Sequence, residues 1–286
     1  MALHLATFRT RTLTAIIFAA VMLGGLLVND WTFFLLFSLI HFGCWVEYFR
    51  LMGRIDPAYR PANLFHRYGM MLAGWCSLLL ACRLQAGPLF LHTAGRWLLP
   101  AAALLAALSL SFNKSPMQTA FYSVIGLFYI SVSWSFMIDM GNFNKHIISG
   151  ATADPHRLIP VLLIVSIWIN DTMAYIVGSF IGKTPLSPIS PKKTWEGTAG
   201  GAILAVAVVT LAGSYWLHYR RDILIVISVS AAVTGTLGDL LESKLKRMAG
   251  VKDSGSIMPG HGGFLDRFDS LLLATPCVWA LLKYVF

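Results

Sequence analysis

The sequence predicts an all-α integral membrane protein with about nine transmembrane helices and a cytosolic N-terminus. Of its 286 residues, 57% are hydrophobic and only 12% are charged, and the mean hydropathy is +0.68. Soluble domains usually carry about 25% charged residues. Apolar runs recur along the chain, and about 20 apolar residues are needed for a helix to cross the hydrocarbon core. This composition and these runs favour membrane-spanning helices.

Nine apolar runs are expected to form the helices. They cover residues 13–28, 31–46, 69–82, 97–112, 119–138, 158–180, 200–218, 223–241 and 268–286. The first run follows Arg9 and Arg11, as in a signal peptide. It lacks a small-residue cleavage site and a second run follows at once, so it is interpreted as a retained first helix.

The distribution of Lys and Arg predicts the orientation. With nine spans, one side receives 15 of the 22 basic residues and the other side receives 7. The positive-inside rule then places the N-terminus and the loops 181–199 and 242–267 in the cytosol. The net charge of +9 follows from this topology, so no nucleic-acid partner is expected. The basic loop 50–68 is also attributed to topology, with contact to anionic lipid headgroups as the alternative.

Two regions of different character divide the chain. Residues 1–155 are predicted to hold about five transmembrane helices, and nothing in their loops indicates a chemistry. Residues 156–286 are predicted to hold about four helices with two cytosolic loops, and they contain 8 of the 13 acidic residues. Seven of those eight fall on the predicted cytosolic side. The second region is therefore expected to be catalytic.

The first polar cluster of this region covers residues 170–201. Asp171 lies inside an apolar run, where an ionisable residue indicates function by default. GSFIGKT is one residue short of a P-loop and follows a helix, so a Walker A site is rejected. Ser190 and Pro191 suggest an N-cap and a first helical residue. Lys192 and Lys193 would then lie in the first turn of a helix and could bind phosphate there.

The second polar cluster covers residues 235–270. Asp239, Glu242, Ser243 and Lys246 follow helical spacing and share one face. After a glycine-rich loop, Asp266 and Asp269 repeat that spacing on the last helix. Mg²⁺ prefers oxygen ligands, often one or two carboxylates with substrate phosphates and water. Carboxylates surrounded by lysine and arginine suit phosphoryl or nucleotidyl transfer.

The segment SKLKRMAGVKDSGSIMPGHGGFLDRFDS (243–270) resembles the signature of the phosphatidate cytidylyltransferase family, bacterial type. AYIVGSFIGKTPLSPISPKKTWEGTAGG upstream is similar to a second region of that family, whereas in the first half only WVEYFRL (45–51) is similar. The resemblance implies Mg²⁺-dependent transfer of CMP from CTP to phosphatidic acid, giving CDP-diacylglycerol and pyrophosphate. It also implies a multi-pass protein of the bacterial inner membrane with its active site facing the cytosol, and it is compatible with a second cation and with a homodimer.

The resemblance assigns roles to residues of both clusters. It implies that Asp239 and Asp266 are the metal ligands. Together with Lys246 and Arg267, they are expected to be the catalytic residues. Substrate-binding residues are expected to be Asp171, Lys192, Lys193, Thr194, Glu196, Ser243, Arg247, Lys252, Asp253, His261 and Asp269. Two alternatives stay open: a CTP-dependent polyprenol or lipid kinase, and a secondary transporter that uses intramembrane aspartates.

Overall fold

The protein is mainly helical in the computed structural model, which describes residues 5–59, 64–82, 90–111, 116–141, 158–257 and 262–286. The helices in chain order are α1 (Leu5–Leu27), α2 (Asp30–Ile55), α3 (Leu64–Cys82), α4 (Phe90–Ser111), α5 (Pro116–Gly126), a π-helical segment (Leu127–Val132), α6 (Ser133–Gly141), α7 (Leu158–Ile181), α8 (Trp195–Trp216), α9 (Arg221–Met248) and α10 (Leu265–Val285). Strands β1 (Pro185–Ser187) and β2 (Ser190–Thr194) form an antiparallel hairpin between α7 and α8.

Six of the described helices are long and apolar enough to cross a membrane: Asp30–Ile55, Met117–Met140, Leu158–Ile181, Trp195–Trp216, Arg221–Met248 and Leu265–Val285. Two shorter apolar helices cover Ile16–Leu27 and Pro100–Ser111. The apolar runs of the sequence thus coincide with helices, and the protein is a multi-pass membrane protein. The count of nine spans and the cytosolic N-terminus stay predictions.

The chain packs as two compact units. The first contains residues 1–138 and 245–268, and the second contains residues 139–244 and 269–286. Helices α9 and α10 each contribute one end to each unit. The assignment of residues 1–155 and 156–286 to separate regions remains a prediction from sequence.

An aromatic core surrounds α2 in the first unit. Trp45 and Phe37 are fully buried in α2, and the ring of Trp134 of α6 packs against that of Phe37 at a tilt of 37°, with ring centroids 5.3 Å apart. Phe268, at the start of α10, meets the Trp134 ring edge-on at 5.6 Å. This packing fixes α2 against the first turn of α10, which matters for the site below.

Glycines bring α7 and α8 close together in the second unit. A Cβ added at Gly201 would lie 2.6 Å from the backbone nitrogen of Ala174, and one at Gly197 would lie 2.8 Å from the Cα of Gly178. Small residues let helix backbones approach in this way. Gly178 therefore serves the close packing of α7 against α8.

The predicted helix start at Ser190 and Pro191 is wrong. Residues 190–194 form β2, and α8 begins at Trp195 with Thr194 as its N-cap. The hydroxyl of Thr194 accepts a hydrogen bond from the amide of Gly197 at 3.1 Å. Pro188 falls in the two-residue turn between the strands, where a proline favours a turn, and Ser190 and Pro191 are the first residues of β2.

Candidate active site

Asp266 organises the site of the first unit. Its Oδ1 accepts a hydrogen bond from the ammonium of Lys246 at 2.7 Å. Its Oδ2 accepts the amides of Ser254 and Gly263, both at 2.8 Å, and lies 2.9 Å from the hydroxyl oxygen of Ser254. The side chains of Lys246 and Asp266 are only 14% and 7% exposed, so this ion pair is shielded from solvent screening. Asp266 thus joins α9, the loop after α9 and the start of α10.

Two glycines allow the chain to close around Asp266. Gly262 has a φ of +82°, a conformation that side chains rarely adopt. A Cβ at Gly262 would also lie 2.6 Å from Oδ2 of Asp266. Gly263 brings its amide to the same oxygen. Gly262 and Gly263 therefore let the backbone fold closely around the carboxylate of Asp266.

A second acidic group lies in the second unit. Asp239, Glu242 and Asp269 each offer one carboxylate oxygen, and these oxygens lie within 4.8 Å of one another. Glu242 is fully buried and Asp269 is 9% exposed. Three mutually close carboxylates fit a hard divalent cation, because oxygen ligands and negative charge are what such an ion prefers.

A close helix crossing brings these acids together. A Cβ at Gly238 would lie 2.5 Å from the carbonyl oxygen of Asp269 and 3.1 Å from the Cα of Ser270. Only glycine lets α9 approach α10 this closely. The residue next to it, Asp239, is thereby held beside Asp269, while the hydroxyl of Ser243 lies 3.5 Å from Oδ1 of Asp239.

Lys193 of β2 forms an ion pair with Asp239. Asp171 of α7 is close enough to interact electrostatically with both Lys193 and Asp239. The hairpin thus delivers one ammonium to the acidic group, although through a strand and without the helix N-terminus that the sequence suggested. Thr194 and Glu196 shape the hairpin ends: Thr194 caps α8, and Glu196 accepts hydrogen bonds from the amides of Lys183 and Thr184 at 3.1 Å.

Other predicted site residues lie at the surface. The side chains of four of them are exposed and form no hydrogen bond or ion pair within the described part of the chain: Lys192, Arg247, Lys252 and Asp253. Arg267 is also exposed. His261 lies outside the described residues.

A cavity that was not predicted from the sequence adjoins the signature loop. Its volume is about 260 Å³, and its lining includes Arg50 and Arg54 of α2 and the loop residues Asp253 and Ser254. Neither guanidinium forms an ion pair among the residues that the structure describes. The positive-inside rule attributes both arginines to topology, whereas their four-residue spacing on one helix face is the sequence signal for a shared site.

Glu47 was also missed. It lies in α2 with 0% exposure, and it accepts hydrogen bonds from Ser254 and from the first residues of α10. An acidic residue in the middle of an apolar run was the signal that could have found it.

Comparison with known proteins identifies the family of the chain. Residues 9–285 match the model of the cytidylyltransferase family. A protein of Staphylococcus aureus (strain COL) named phosphatidate cytidylyltransferase is 38% identical over 176 residues, which is 60% of this chain and 63% of that protein. A protein of the same name from Bacillus subtilis (strain 168) is 40% identical over 166 residues, or 56% of this chain and 57% of that protein. The aligned part thus spans about three fifths of these relatives. Because the family model covers nearly the whole chain, the protein belongs to the cytidylyltransferase family.

Proposed function

We propose that the protein transfers CMP from CTP to phosphatidic acid, giving CDP-diacylglycerol and pyrophosphate in phospholipid biosynthesis. The observation that carries this proposal is the set of hydrogen bonds by which Asp266 joins Lys246, Ser254 and Gly263, three residues of the signature segment. The names of the aligned relatives support the same activity. The reaction forms a bond from the lipid phosphate oxygen to the α-phosphorus of CTP and breaks the bond from that phosphorus to the bridging oxygen of pyrophosphate.

The nucleophile needs little activation. The second pKa of a phosphate monoester is about 6, so the lipid phosphate is largely dianionic at neutral pH. A protein base is therefore not required. The main barriers are the repulsion between two polyanions and the charge that develops on the leaving pyrophosphate, and both call for fixed positive charge and accurate positioning.

We assign the cation to the group formed by Asp239, Glu242 and Asp269. Three carboxylate oxygens within 4.8 Å of one another suit Mg²⁺, which would supply charge neutralisation for the substrate phosphates. The assignment of Asp239 and Asp266 that the resemblance implies shares one of these ligands. The carboxylate of Asp266 already accepts hydrogen bonds from the ammonium of Lys246 and from two backbone amides. Because an oxygen of Asp269 lies within 4.8 Å of one of Asp239, we take Asp269 as the partner of Asp239, with Asp266 holding the loop and orienting Lys246.

In this proposal, the lysines of the two ion pairs also bind substrate phosphate groups. Lys193 pairs with Asp239, and Lys246 pairs with Asp266. The ion pair holds each ammonium in place before substrate binds. A substrate phosphate that reached the ammonium would then compete for it with the carboxylate. The remaining candidates for binding phosphate groups are Arg50, Arg54, Lys192, Arg247, Lys252 and Arg267.

The membrane setting agrees with the substrates. CTP is dissolved in the cytosol and the lipid phosphate lies at the membrane interface, so we place the loops 181–199 and 242–267 on the cytosolic face of the inner membrane. The excess of basic residues on that side supports this orientation.

Product analysis tests the function. Purified protein in detergent receives phosphatidic acid, Mg²⁺ and CTP carrying radioactive phosphorus in either the α or the γ position. We expect label from the α position in the lipid and label from the γ position in pyrophosphate. Transfer of the γ label to a polyprenol or another lipid alcohol would contradict the proposal and indicate a kinase. Absence of CTP turnover, with solute uptake into vesicles that contain the protein, would indicate a transporter.

A further inference from the structure

Glu47 is a carboxylate buried inside a membrane-spanning helix. It lies in α2, which is one of the six helices able to cross a membrane, and it is 0% exposed. Burying a charged group is costly unless hydrogen bonds satisfy it. The partners of Glu47 therefore explain why it is there.

The carboxylate accepts three hydrogen bonds from the signature segment. Its Oε1 accepts a hydrogen bond from the amide of Phe264 at 2.9 Å. Its Oε2 accepts hydrogen bonds from the amide of Leu265 at 2.9 Å and from the hydroxyl of Ser254 at 2.8 Å. Phe264 immediately precedes α10 and Leu265 is its first residue. The amides at a helix start lack acceptors within the helix. Glu47 supplies those acceptors from another helix, with a negative charge at the positive end of the α10 dipole.

The signature loop is shaped to fit this carboxylate. A Cβ at Gly255 or at Gly263 would collide with the carboxylate of Glu47. Both positions therefore require glycine if the backbone is to reach Glu47. Two glycines of the signature thus have a partner that lies about 200 residues earlier in the chain.

Ser254 links Glu47 to Asp266. Its hydroxyl oxygen lies 2.8 Å from Oε2 of Glu47 and 2.9 Å from Oδ2 of Asp266. A hydroxyl has one hydrogen to donate. Asp266 already receives the amides of Ser254 and Gly263, so the hydroxyl is available to Glu47. Loss of the Glu47 carboxylate would release the loop on one side of Asp266 and the helix start on the other.

We propose that Glu47 is a positioning residue of the active site. Its carboxylate holds Ser254 and the first turn of α10 so that Asp266 and Lys246 stay in the geometry that catalysis needs. The role depends on two acceptor oxygens and on charge, and only secondarily on the volume of the side chain.

The kinetic test rests on the proposed function. Glu47→Gln keeps the volume but turns one acceptor into a donor that faces another donor. Because misplacement of a catalytic group by about 1 Å can cost about 100-fold in rate, we expect kcat to fall about 10- to 100-fold, with KM for CTP within about 2-fold of wild type. Glu47→Asp keeps both acceptors and is expected to recover part of the rate. Ser38→Ala is the matched control, because Ser38 is a buried polar residue of α2 whose hydroxyl accepts a hydrogen bond from the indole of Trp75.

Amide hydrogen exchange separates this inference from the proposed function, since it needs no turnover. In Glu47→Gln, the amides of Phe264 and Leu265 should exchange at least about 10-fold faster than in wild type, because their acceptors are lost. Ser38→Ala should leave them unchanged. If the wild type made no CDP-diacylglycerol, the proposed function would fail while this measurement still decided the role of Glu47.

Three results would overturn the inference: wild-type exchange at both amides in Glu47→Gln, a rise in KM without a fall in kcat, or a kcat no lower than that of Ser38→Ala. If Glu47→Gln does not fold, Ser254→Ala carries the same test. Removal of that hydroxyl breaks the link between Glu47 and Asp266 and should lower kcat in the same way. Unchanged kcat and exchange in Ser254→Ala would then reject the proposal.

Discussion

Replacing Gly238 by alanine should move the acidic group and impair its use of magnesium. The added Cβ would lie 2.5 Å from the carbonyl oxygen of Asp269, whereas ordinary van der Waals contact begins near 3.4 Å. The two helices must therefore separate locally by about 0.9 Å. Since Asp239 and Asp269 lie on opposite sides of this contact, the distance between their carboxylates changes by a comparable amount. A displacement of about 1 Å at a catalytic group can cost about 100-fold in rate.

Gly235 provides the matched control for this experiment. It lies about one turn earlier on α9, and a Cβ there would meet the Cβ of Ser270 at 3.5 Å, an ordinary contact. Gly235→Ala should therefore keep the wild-type rate, with a small gain in helix stability of up to about 1 kcal/mol. Gly238→Ala should lose about 1–3 kcal/mol of stability through overpacking.

The assay is the initial rate of CDP-diacylglycerol formation by purified, folded variants over a magnesium titration. Gly238→Ala should need a higher Mg²⁺ concentration for half-maximal rate and reach a kcat about 100-fold lower than wild type. Gly235→Ala should match the wild type in both quantities. A Gly238→Ala enzyme with normal kcat and normal magnesium dependence would refute the assignment of the cation to these acids.

Three further predictions use the same assay. Asp239→Asn and Asp269→Asn should each abolish magnesium-dependent turnover, because each removes a carboxylate from a group whose oxygens lie within 4.8 Å; substantial turnover in both at wild-type Mg²⁺ would contradict this. Lys193→Ala should raise KM for CTP by about 10-fold or more, as expected for the loss of a charged hydrogen bond of about 1.5–3 kcal/mol, and unchanged kinetics would return this lysine to a topological role. The double variant Arg50→Gln and Arg54→Gln should raise KM for one phosphate-bearing substrate without lowering kcat, and separate titrations of CTP and phosphatidic acid show which; equal kinetics would leave the cavity without a substrate role.

The sequence predicted the helices well because apolar length alone determines most of them. The run 223–241, for example, lies within α9 (Arg221–Met248). It failed at Ser190 and Pro191, where a local pattern suits two structures. Serine followed by proline can start a helix or occupy a strand next to a turn, and the hairpin was selected by pairing with residues 185–187. The correct start was also visible, since Thr194 is an N-cap type and Glu196 places an acid in the first turn.

Helical spacing also predicted which acids share a face, but it could not predict their partners. Asp239 and Glu242 lie one turn apart on α9, as expected, and they meet Asp269. Asp266, one turn before Asp269, instead pairs with Lys246. The difference depends on the helix crossing at Gly238 and on the path of the loop, and neither follows from periodicity within one helix.

The acidic residues of the first half differ in how they are satisfied. Asp30 lies in the first turn of α2, where the helix dipole favours an acid. Asp56 follows the end of α2, and its carboxylate accepts a hydrogen bond from the amide of Ala58 at 2.8 Å. Asp139 accepts a hydrogen bond from the indole of Trp279 at 2.7 Å. Glu47 lies far from either end of α2, where no local backbone group can satisfy it, so its partners had to come from a distant segment rich in free amides. The glycine-rich signature followed by a helix start is such a segment, and its hydroxyl and two amides satisfy the buried carboxylate.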